Sequence, residues 1–118
     1  MTTPTHSLFH PLPLGAIEPR GWLLDQMRQD LSVGFAACLD TLTEHAAHNL
    51  FRHQIAASEE QFAWWDAETR GNWLWGLTMM AFLSGDEDAQ ARAVALLDDL
   101  LATQDETGYL GIYARPWR

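Results

Sequence analysis

Apolar residues recur at helical spacing along three stretches of the chain. Between residues 19 and 42 they return every three or four positions, which predicts an amphipathic helix that starts near Pro19 to Trp22. The stripe consists of Leu23, Met27, Leu31, Phe35, Leu39 and Leu42. Gly34 falls inside it, and because glycine weakens a helix interior, we expect a break there.

The next two stretches predict a pair of helices. Residues 72–84 are apolar almost all round, which is typical of a helix buried on every side, with Asn72 as its cap and Gly85 as its end. In residues 86–103 apolar side chains recur at helical spacing, which predicts an amphipathic helix. This stretch begins with acidic side chains, which suit the positive end of the helix dipole. Their apolar face is Ala93, Val94, Leu97, Leu100 and Leu101, and their polar face is Arg92, Asp98 and Asp99.

A short link between these two helices predicts a helical hairpin with an inner and an outer member. Such pairs, repeated around a ring, form an α/α toroid. The hairpin would bring the segments 64–71 and 104–113 to one face, as two loops rich in aromatic and acidic residues. One pair cannot close a ring, so we expect either self-association through the apolar inner helix or a fragment of a longer protein.

The sequence therefore predicts an all-α chain in two parts. Residues 1–19 contain four prolines and a glycine, which predicts an extended strap that wraps on the rest of the protein. Residues 20–118 are predicted to form a partial α/α-toroid domain, a fragment of a larger catalytic domain.

Charge and cysteine content narrow the possible partners. The 118 residues carry 16 acidic and 7 basic side chains, a net charge of -9, which argues against nucleic acid and anionic membranes. The lone Cys38 excludes an internal disulfide and a multi-cysteine zinc site, and its apolar surroundings predict a small buried side chain. No signal peptide or membrane-spanning run is visible, which predicts a soluble cytoplasmic protein.

Aromatic residues supply the candidate chemistry. Indole faces pack on the C–H face of a sugar ring, while carboxylate, amide and guanidinium groups bind its hydroxyls, and the segment 64–73 combines all of these. The predicted substrate-binding residues are Trp64, Trp65, Asp66, Glu68, Asn72, Trp73, Asp105 and Tyr109. An ordinary helix start with buried tryptophans and a surface Glu68–Arg70 ion pair explains the segment equally well. Trp73 and Trp75 should point to opposite sides, so at least one belongs to the core.

Catalytic and metal sites are not predicted in this segment. Asp66 and Glu68 could form a carboxylate pair for glycosidic cleavage, but their spacing is common in loops, and sugar binding by Glu68 is the favoured interpretation. His45 and His48 are three residues apart with Glu44 outside them, which departs from the zinc motif His-Glu-x-x-His.

Four segments taken together resemble a known family. They are Pro11–Gly15, Gly21–Leu24, Trp65–Leu74 and Gln104–Gly111. In order and spacing they are similar to the start of the beta-L-arabinofuranosidase-like proteins of glycoside hydrolase family 127 and its relatives. The resemblance implies an (α/α)6 barrel followed by β-sandwich domains, acting on terminal L-arabinofuranoside-type sugars of glycans.

In that family the cysteine nucleophile, the zinc ligands and the acid/base glutamate come from later sequence, and Cys38 matches none of their motifs. The resemblance therefore implies that this portion contributes a substrate-binding wall without catalytic residues, zinc ligands or activity of its own. Two alternatives stay open: a stand-alone oligomeric helical module for sugar binding or assembly, and another toroid enzyme such as an unsaturated glucuronyl hydrolase.

Overall fold

The computed structural model describes residues 10–13, 15–42, 51 and 63–118, with the backbone alone for 63–66. These residues form α-helices and no β-strand, which confirms the all-α prediction for the described part. The helices are α1 (Trp22–Val33), α2 (Phe35–Leu42), α3 (Ala63–Ser84) and α4 (Glu87–Leu101), followed by a 3-10 turn at Arg115–Trp117. None of the helices in these ranges combines the length and apolar character needed to cross a bilayer.

The predicted break at Gly34 is confirmed, and its cause is a close approach. The Asp30 carboxylate folds back over Gly34 and accepts a 3.1 Å hydrogen bond from the Phe35 N–H, which starts α2. A Cβ atom on residue 34 would lie 2.0 Å from Asp30 Oδ1 and 2.7 Å from its Cα. Only glycine fits there, so α1 and α2 are two helices rather than one.

The hairpin between α3 and α4 turns on Gly85 and Asp86. Gly85 adopts φ +70°, and the Asp86 N–H reaches back 3.2 Å to the Ala81 carbonyl, which closes the end of α3. The Asp86 side chain then accepts a 2.9 Å bond from the Ala89 N–H and caps α4. The predicted end of the inner helix and the acidic start of the next one are both confirmed.

The predicted start of the inner helix at Asn72 is wrong. Helix α3 begins at Ala63 and runs for 22 residues, so residues 64–71 are helical rather than a loop, and Asn72 lies inside the helix instead of capping it. No proline interrupts this stretch, and one glycine in a helix interior costs only about 1 kcal/mol. Packing of the Arg70 and Trp73 side chains in the interior offsets that cost.

The core lies where α3 meets α2 and α4. Trp73, Leu74 and Leu77 of α3 are buried against Ala36 of α2 and Ala93 of α4. Partly buried apolar side chains surround them: Leu31, Leu39, Met80, Leu96, Leu97 and Leu100. Helix α1 contributes only partly buried residues to this core.

Two expectations about helix faces are wrong. Helix α3 is not buried on every side, because Trp75 is 70% and Phe82 41% exposed. On α4 the predicted core positions Val94 and Leu101 are exposed as well. The packed face of α4 instead follows residues 93, 96, 97 and 100, at regular i, i+3, i+4, i+7 spacing.

The described part of the proline-rich segment, residues 10–13 and 15–20, is not helical. The Ala16 N–H donates to the Pro13 carbonyl at 3.0 Å and closes a turn with Gly15 at φ +86°. The segment lies beside the start of α1 and the end of α3, where an apolar hollow of about 320 Å³ opens. Residues 1–9 lie outside the described ranges, so the extended strap and the division at residue 19 stay predictions.

Candidate functional site

The exposed side of α3 carries a stripe of polar and aromatic side chains. Glu68, Asn72 and Trp75 are all exposed, and their spacing of four and three residues places them on one side of the helix. Trp75 is far more exposed than the other large apolar residues described on α3. We call the surface formed by Glu68, Gly71, Asn72 and Trp75 the Trp75 face.

Two glycines lie close to Trp75 on α3. Helical side chains lean toward the amino end of the helix, and Gly71 is one turn before Trp75 in that direction. A Cβ atom built on Gly71 meets nothing within 4 Å, and the same holds for Gly76, which follows Trp75. An exposed aromatic ring on the same side of a helix as a carboxylate and an amide is a combination that favours sugar binding.

A cleft of about 510 Å³ opens between α2 and α3, next to the Trp75 face. We call it the α2–α3 cleft. Its lining is mostly apolar, with three polar residues. The residues that line the cleft are Asp30, Phe35, Ala36, Leu39, Thr69, Asn72, Trp73, Gly76, Leu77 and Met80. Asn72 belongs to both surfaces, so the cleft and the Trp75 face are continuous along α3.

Trp73 lies on the buried side of α3 and holds α2 in place. Its indole N–H donates to the Phe35 and Ala36 carbonyls, at 3.1 and 3.3 Å. The guanidinium carbons of Arg70 and Arg92 lie 5.9 and 5.4 Å from the ring centre, within cation–π range. The prediction that Trp73 and Trp75 face opposite sides is confirmed, and Trp73 is the core member.

Arg92 is a half-buried clamp that binds α2, rather than a member of the solvent-facing side of α4 as predicted. The guanidinium donates to the Ala36 and Ala37 carbonyls at 3.3 and 2.6 Å and to Asp40 Oδ1 at 2.9 Å. The long side chain reaches past α4 and lays its charged end on the first turn of α2. Arg92 and Trp73 therefore bind the same stretch of α2 backbone.

Arg70 is buried, at 6% exposure, beside this clamp. Burial lowers the pKa of its guanidinium, and the carboxylates of Asp99 and Asp40 oppose that shift. The alternative interpretation of a surface Glu68–Arg70 ion pair is therefore wrong about Arg70, which lies in the interior while Glu68 is exposed.

Asp105 organises the turn that follows α4. Its Oδ1 accepts hydrogen bonds from the Thr107 N–H, the Thr107 hydroxyl and the Tyr109 N–H, at 2.9, 2.6 and 3.1 Å. Its Oδ2 pairs with the guanidinium of Arg118. The hydrogen bonds from Thr107 and Arg118 hold the pKa of the Asp105 carboxyl far below its usual range. Both oxygens are thus committed to the protein's own turn.

Tyr109 is engaged in the same turn. Its hydroxyl accepts a 3.3 Å bond from the Tyr113 N–H, and the Arg118 guanidinium lies 3.7 Å from the ring centre. Arg118 also donates to the Tyr113 carbonyl at 3.0 Å. One face of the Tyr109 ring is therefore covered by a cation of the same chain.

The predicted site residues fall into three groups. Glu68 and Asn72 share the exposed side of α3, Trp73 is buried behind them, and Asp105 and Tyr109 bond to one another in the turn after α4. Trp64, Trp65 and Asp66 lie in the first turns of α3, and their side chains are outside the described residues. The substrate-binding role of all eight stays a prediction.

Trp75 was missed as a candidate, although the sequence holds a signal for it. Gly71, four residues before Trp75, is the helical neighbour whose side chain would lie beside the indole, and it has none. An exposed indole next to a position without a side chain is available for contact with a ligand.

No metal site emerges in the described part of the chain, which contains no group of three or more potential ligands from histidine, cysteine, aspartate and glutamate. Glu44, His45 and His48 lie outside the described residues. Cys38 is half-buried, rather than buried as predicted, and its thiol donates to the Gly34 carbonyl at 3.1 Å.

No protein-family model, curated protein or solved structure matches this chain. The resemblance to glycoside hydrolase family 127 therefore stays a prediction that rests on the four sequence segments alone.

Proposed function

We propose that this chain contributes the sugar-facing wall of a glycoside hydrolase-like protein, and that the Trp75 face makes the contact. The exposed indole of Trp75 stacks on the C–H face of a terminal sugar of the L-arabinofuranoside type. Glu68 and Asn72, on the same side of α3, hydrogen-bond the sugar hydroxyls. The α3–α4 hairpin is one unit of the α/α toroid that the resemblance implies.

The observation that carries this proposal is an exposed Trp75 that shares one side of α3 with Glu68 and Asn72. Leaving a large apolar ring 70% exposed forgoes its burial energy, about 1.5–3 kcal/mol for a large apolar side chain, so a ring kept in that position favours a binding role. Gly71 places no side chain beside the ring, and Asn72 and Glu68, three and seven residues before Trp75 on the same side of α3, supply an amide and a carboxylate for directional bonds. This is the usual composition of a sugar contact, with the aromatic surface supplying area and the polar groups supplying orientation.

The proposal assigns these residues to binding rather than to bond cleavage. The pKa of the Asp105 carboxyl is lowered by hydrogen bonds within its turn, whereas a general acid needs a raised one, and Glu68 is assigned to binding because it is exposed beside Asn72. Catalytic groups of such a protein would come from other sequence, as the resemblance implies.

The test is a titration of the 118-residue chain with methyl β-L-arabinofuranoside, followed by backbone amide NMR. We expect shifts centred on residues 68–76 and a Kd in the millimolar range. Trp75→Ala should weaken binding about tenfold, since aromatic contacts contribute roughly 0.5–1.5 kcal/mol beyond burial. Trp22→Ala removes an even more exposed indole from α1 and is the matched control, which should leave the Kd unchanged.

Glu68→Gln keeps the size of the side chain and removes its charge, so it should weaken binding by less than Trp75→Ala. Shifts that ignore α3, or equal effects of Trp75→Ala and Trp22→Ala, would reject the proposal.

A second candidate is self-association or docking of further helices, and α1 and α2 favour it. Trp22, Val33, Phe35 and Leu42 are each more than 60% exposed, and several large exposed apolar residues on one small chain are typical of an interaction surface. Sedimentation velocity tests this candidate: an oligomer that dissociates in Val33→Ser or Leu42→Ser supports it, and a monomer at high concentration rejects it.

A further inference from the structure

The α2–α3 cleft is larger and more apolar than sugar stacking on Trp75 requires. Its volume of about 510 Å³ falls within the 300–1,000 Å³ typical of small-molecule sites. Phe35 and Leu39 line it from α2, and Met80 lines it from α3. The indole N–H of Trp73 is already used by backbone carbonyls, so the ring contributes only apolar area.

The absence of a side chain at Gly76 helps to keep the cleft open. A Cβ atom built there meets nothing within 4 Å, so the backbone does not require glycine for steric reasons. Glycine in the middle of a 22-residue helix costs about 1 kcal/mol relative to alanine. A residue that the local structure does not need, placed where a larger one would fill a cleft, points to a ligand.

The polar atoms around the cleft restrict what that ligand can be. Asp30 adds a carboxylate, and one of its oxygens caps the Phe35 N–H. No arginine is among the lining residues, so a carboxylate, phosphate or sulfate group would meet a negative charge without a cation to offset it. The lining therefore fits an uncharged apolar group, and Asn72 joins it to the surface that we assign to the sugar.

We propose that the α2–α3 cleft holds the uncharged apolar aglycone of a glycoside whose sugar lies on the Trp75 face. This inference rests on the proposed function, and it narrows the substrate class to glycosides of apolar, ring-sized alcohols. Asn72 lies at the junction and contacts the region of the glycosidic oxygen. Trp75 and Gly76 are adjacent and 100° apart around α3, so one ligand can reach both surfaces.

The test compares methyl and phenyl β-L-arabinofuranoside on the full 118-residue chain by NMR titration, with the ratio of the two Kd values as the readout. The phenyl glycoside should bind about tenfold more tightly, because its ring transfers apolar area from water into the cleft. Gly76→Leu fills the cleft with a good helix former and should bring the ratio close to one. Ala95→Leu puts the same side chain on an exposed position of α4 and should preserve the ratio.

The outcomes separate the two proposals. Equal affinities for both glycosides, or a preference that survives Gly76→Leu, would overturn the aglycone site and leave the sugar site standing. Failure of the methyl glycoside to bind at all would overturn the proposed function, and this inference with it. Retained helicity of Gly76→Leu by circular dichroism shows that any loss of preference arises from a filled cleft rather than from unfolding.

Discussion

Trp73 and Trp75 are two residues apart on one helix, and their surroundings differ in every respect. The Trp73 ring is buried, flanked by two guanidinium groups and bonded through its N–H to α2. The Trp75 ring is exposed beside glycines whose Cβ positions are empty. A two-residue step turns a helix by 200°, so neighbouring tryptophans sample opposite sides.

The difference shows that tryptophan content alone does not locate a binding surface. On the buried side of α3, aromatic and charged groups bind the protein's own backbone, and arginine and tryptophan serve structure. On the exposed side, similar residue types lack such partners among the described contacts and are available to a ligand. The two sides make distinct predictions about stability.

The largest contrast is expected from the two alanine substitutions. Trp73→Ala leaves a cavity and removes the bonds to Phe35 and Ala36, so it should lower the free energy of unfolding by about 3–5 kcal/mol. Trp75→Ala should change it by no more than about 0.5 kcal/mol. Urea unfolding of both variants measures the contrast, and comparable losses would remove the distinction between the two sides.

A smaller loss of stability is expected at Gly34, the residue between α1 and α2. Gly34→Ala places a Cβ atom against Asp30 and disturbs the cap of α2, at a cost of about 1–3 kcal/mol. Gly71→Ala, on the exposed side of α3, should instead be neutral or stabilising, because its Cβ position is empty and alanine favours the helix. The melting temperatures of the two variants test whether the close approach of Asp30 to residue 34 accounts for the difference between the two glycines.

The Arg92 clamp should contribute less than Trp73, because its side chain is one third exposed. Arg92→Met keeps much of the side-chain length and removes the bonds to Ala37 and Asp40, which should cost about 2 kcal/mol. A double-mutant cycle with Asp40→Asn isolates the ion pair, which should account for no more than about 1 kcal/mol of coupling. Coupling near zero would mean that the backbone bonds alone hold α2.

The smallest effect on stability is expected from the Asp105 carboxylate, and it depends on pH. Because the folded pKa of Asp105 lies below its unfolded value of about 3.9, its carboxylate stabilises the fold above about pH 4. That contribution declines as the pH falls from about 4 toward the folded pKa. Asp105→Asn should therefore be less stable at pH 7 and lose less stability between pH 4 and 2.

Glu68→Gln, which replaces an exposed carboxylate on α3 far from this turn in the sequence, is the control for the substitution of a carboxylate by its amide. Urea midpoints measured from pH 2 to 7 provide the comparison. An Asp105→Asn curve parallel to that of the parent chain would show that the turn does not depend on the ionised carboxylate.

Sequence periodicity predicted the helical class, the break at Gly34 and the turn at Gly85, because each depends on local residue chemistry. It failed at the start of α3, where tertiary packing of Arg70 and Trp73 carries the helix through Gly71. It also misplaced Arg92, since the pattern of apolar positions cannot show where the end of a long side chain comes to rest.

The candidate site shows the same limit of sequence reasoning. Sequence reasoning grouped Glu68, Asn72 and Trp73 in one segment before the inner helix, whereas α3 puts Glu68 and Asn72 on its exposed side and Trp73 in the core. It could not show that the Asp105 and Tyr109 side chains are engaged by Arg118, because Arg118 lies 13 residues from Asp105 and no short motif joins them. Trp75 required knowledge of which side of α3 meets α2.

The two-residue connection at Gly85 and Asp86 also sets an order of assembly. Contacts between α3 and α4 join residues close in sequence, so the chain loses little loop-closure entropy in forming them. The Trp73 bond to α2 spans 38 residues, and the Arg92 bonds span more than 50. Local contacts form fastest, so we expect the hairpin to form before α2 docks on it. We then expect α2 to detach from α3 before the hairpin opens under mild denaturant, and the α2–α3 cleft to disappear with it.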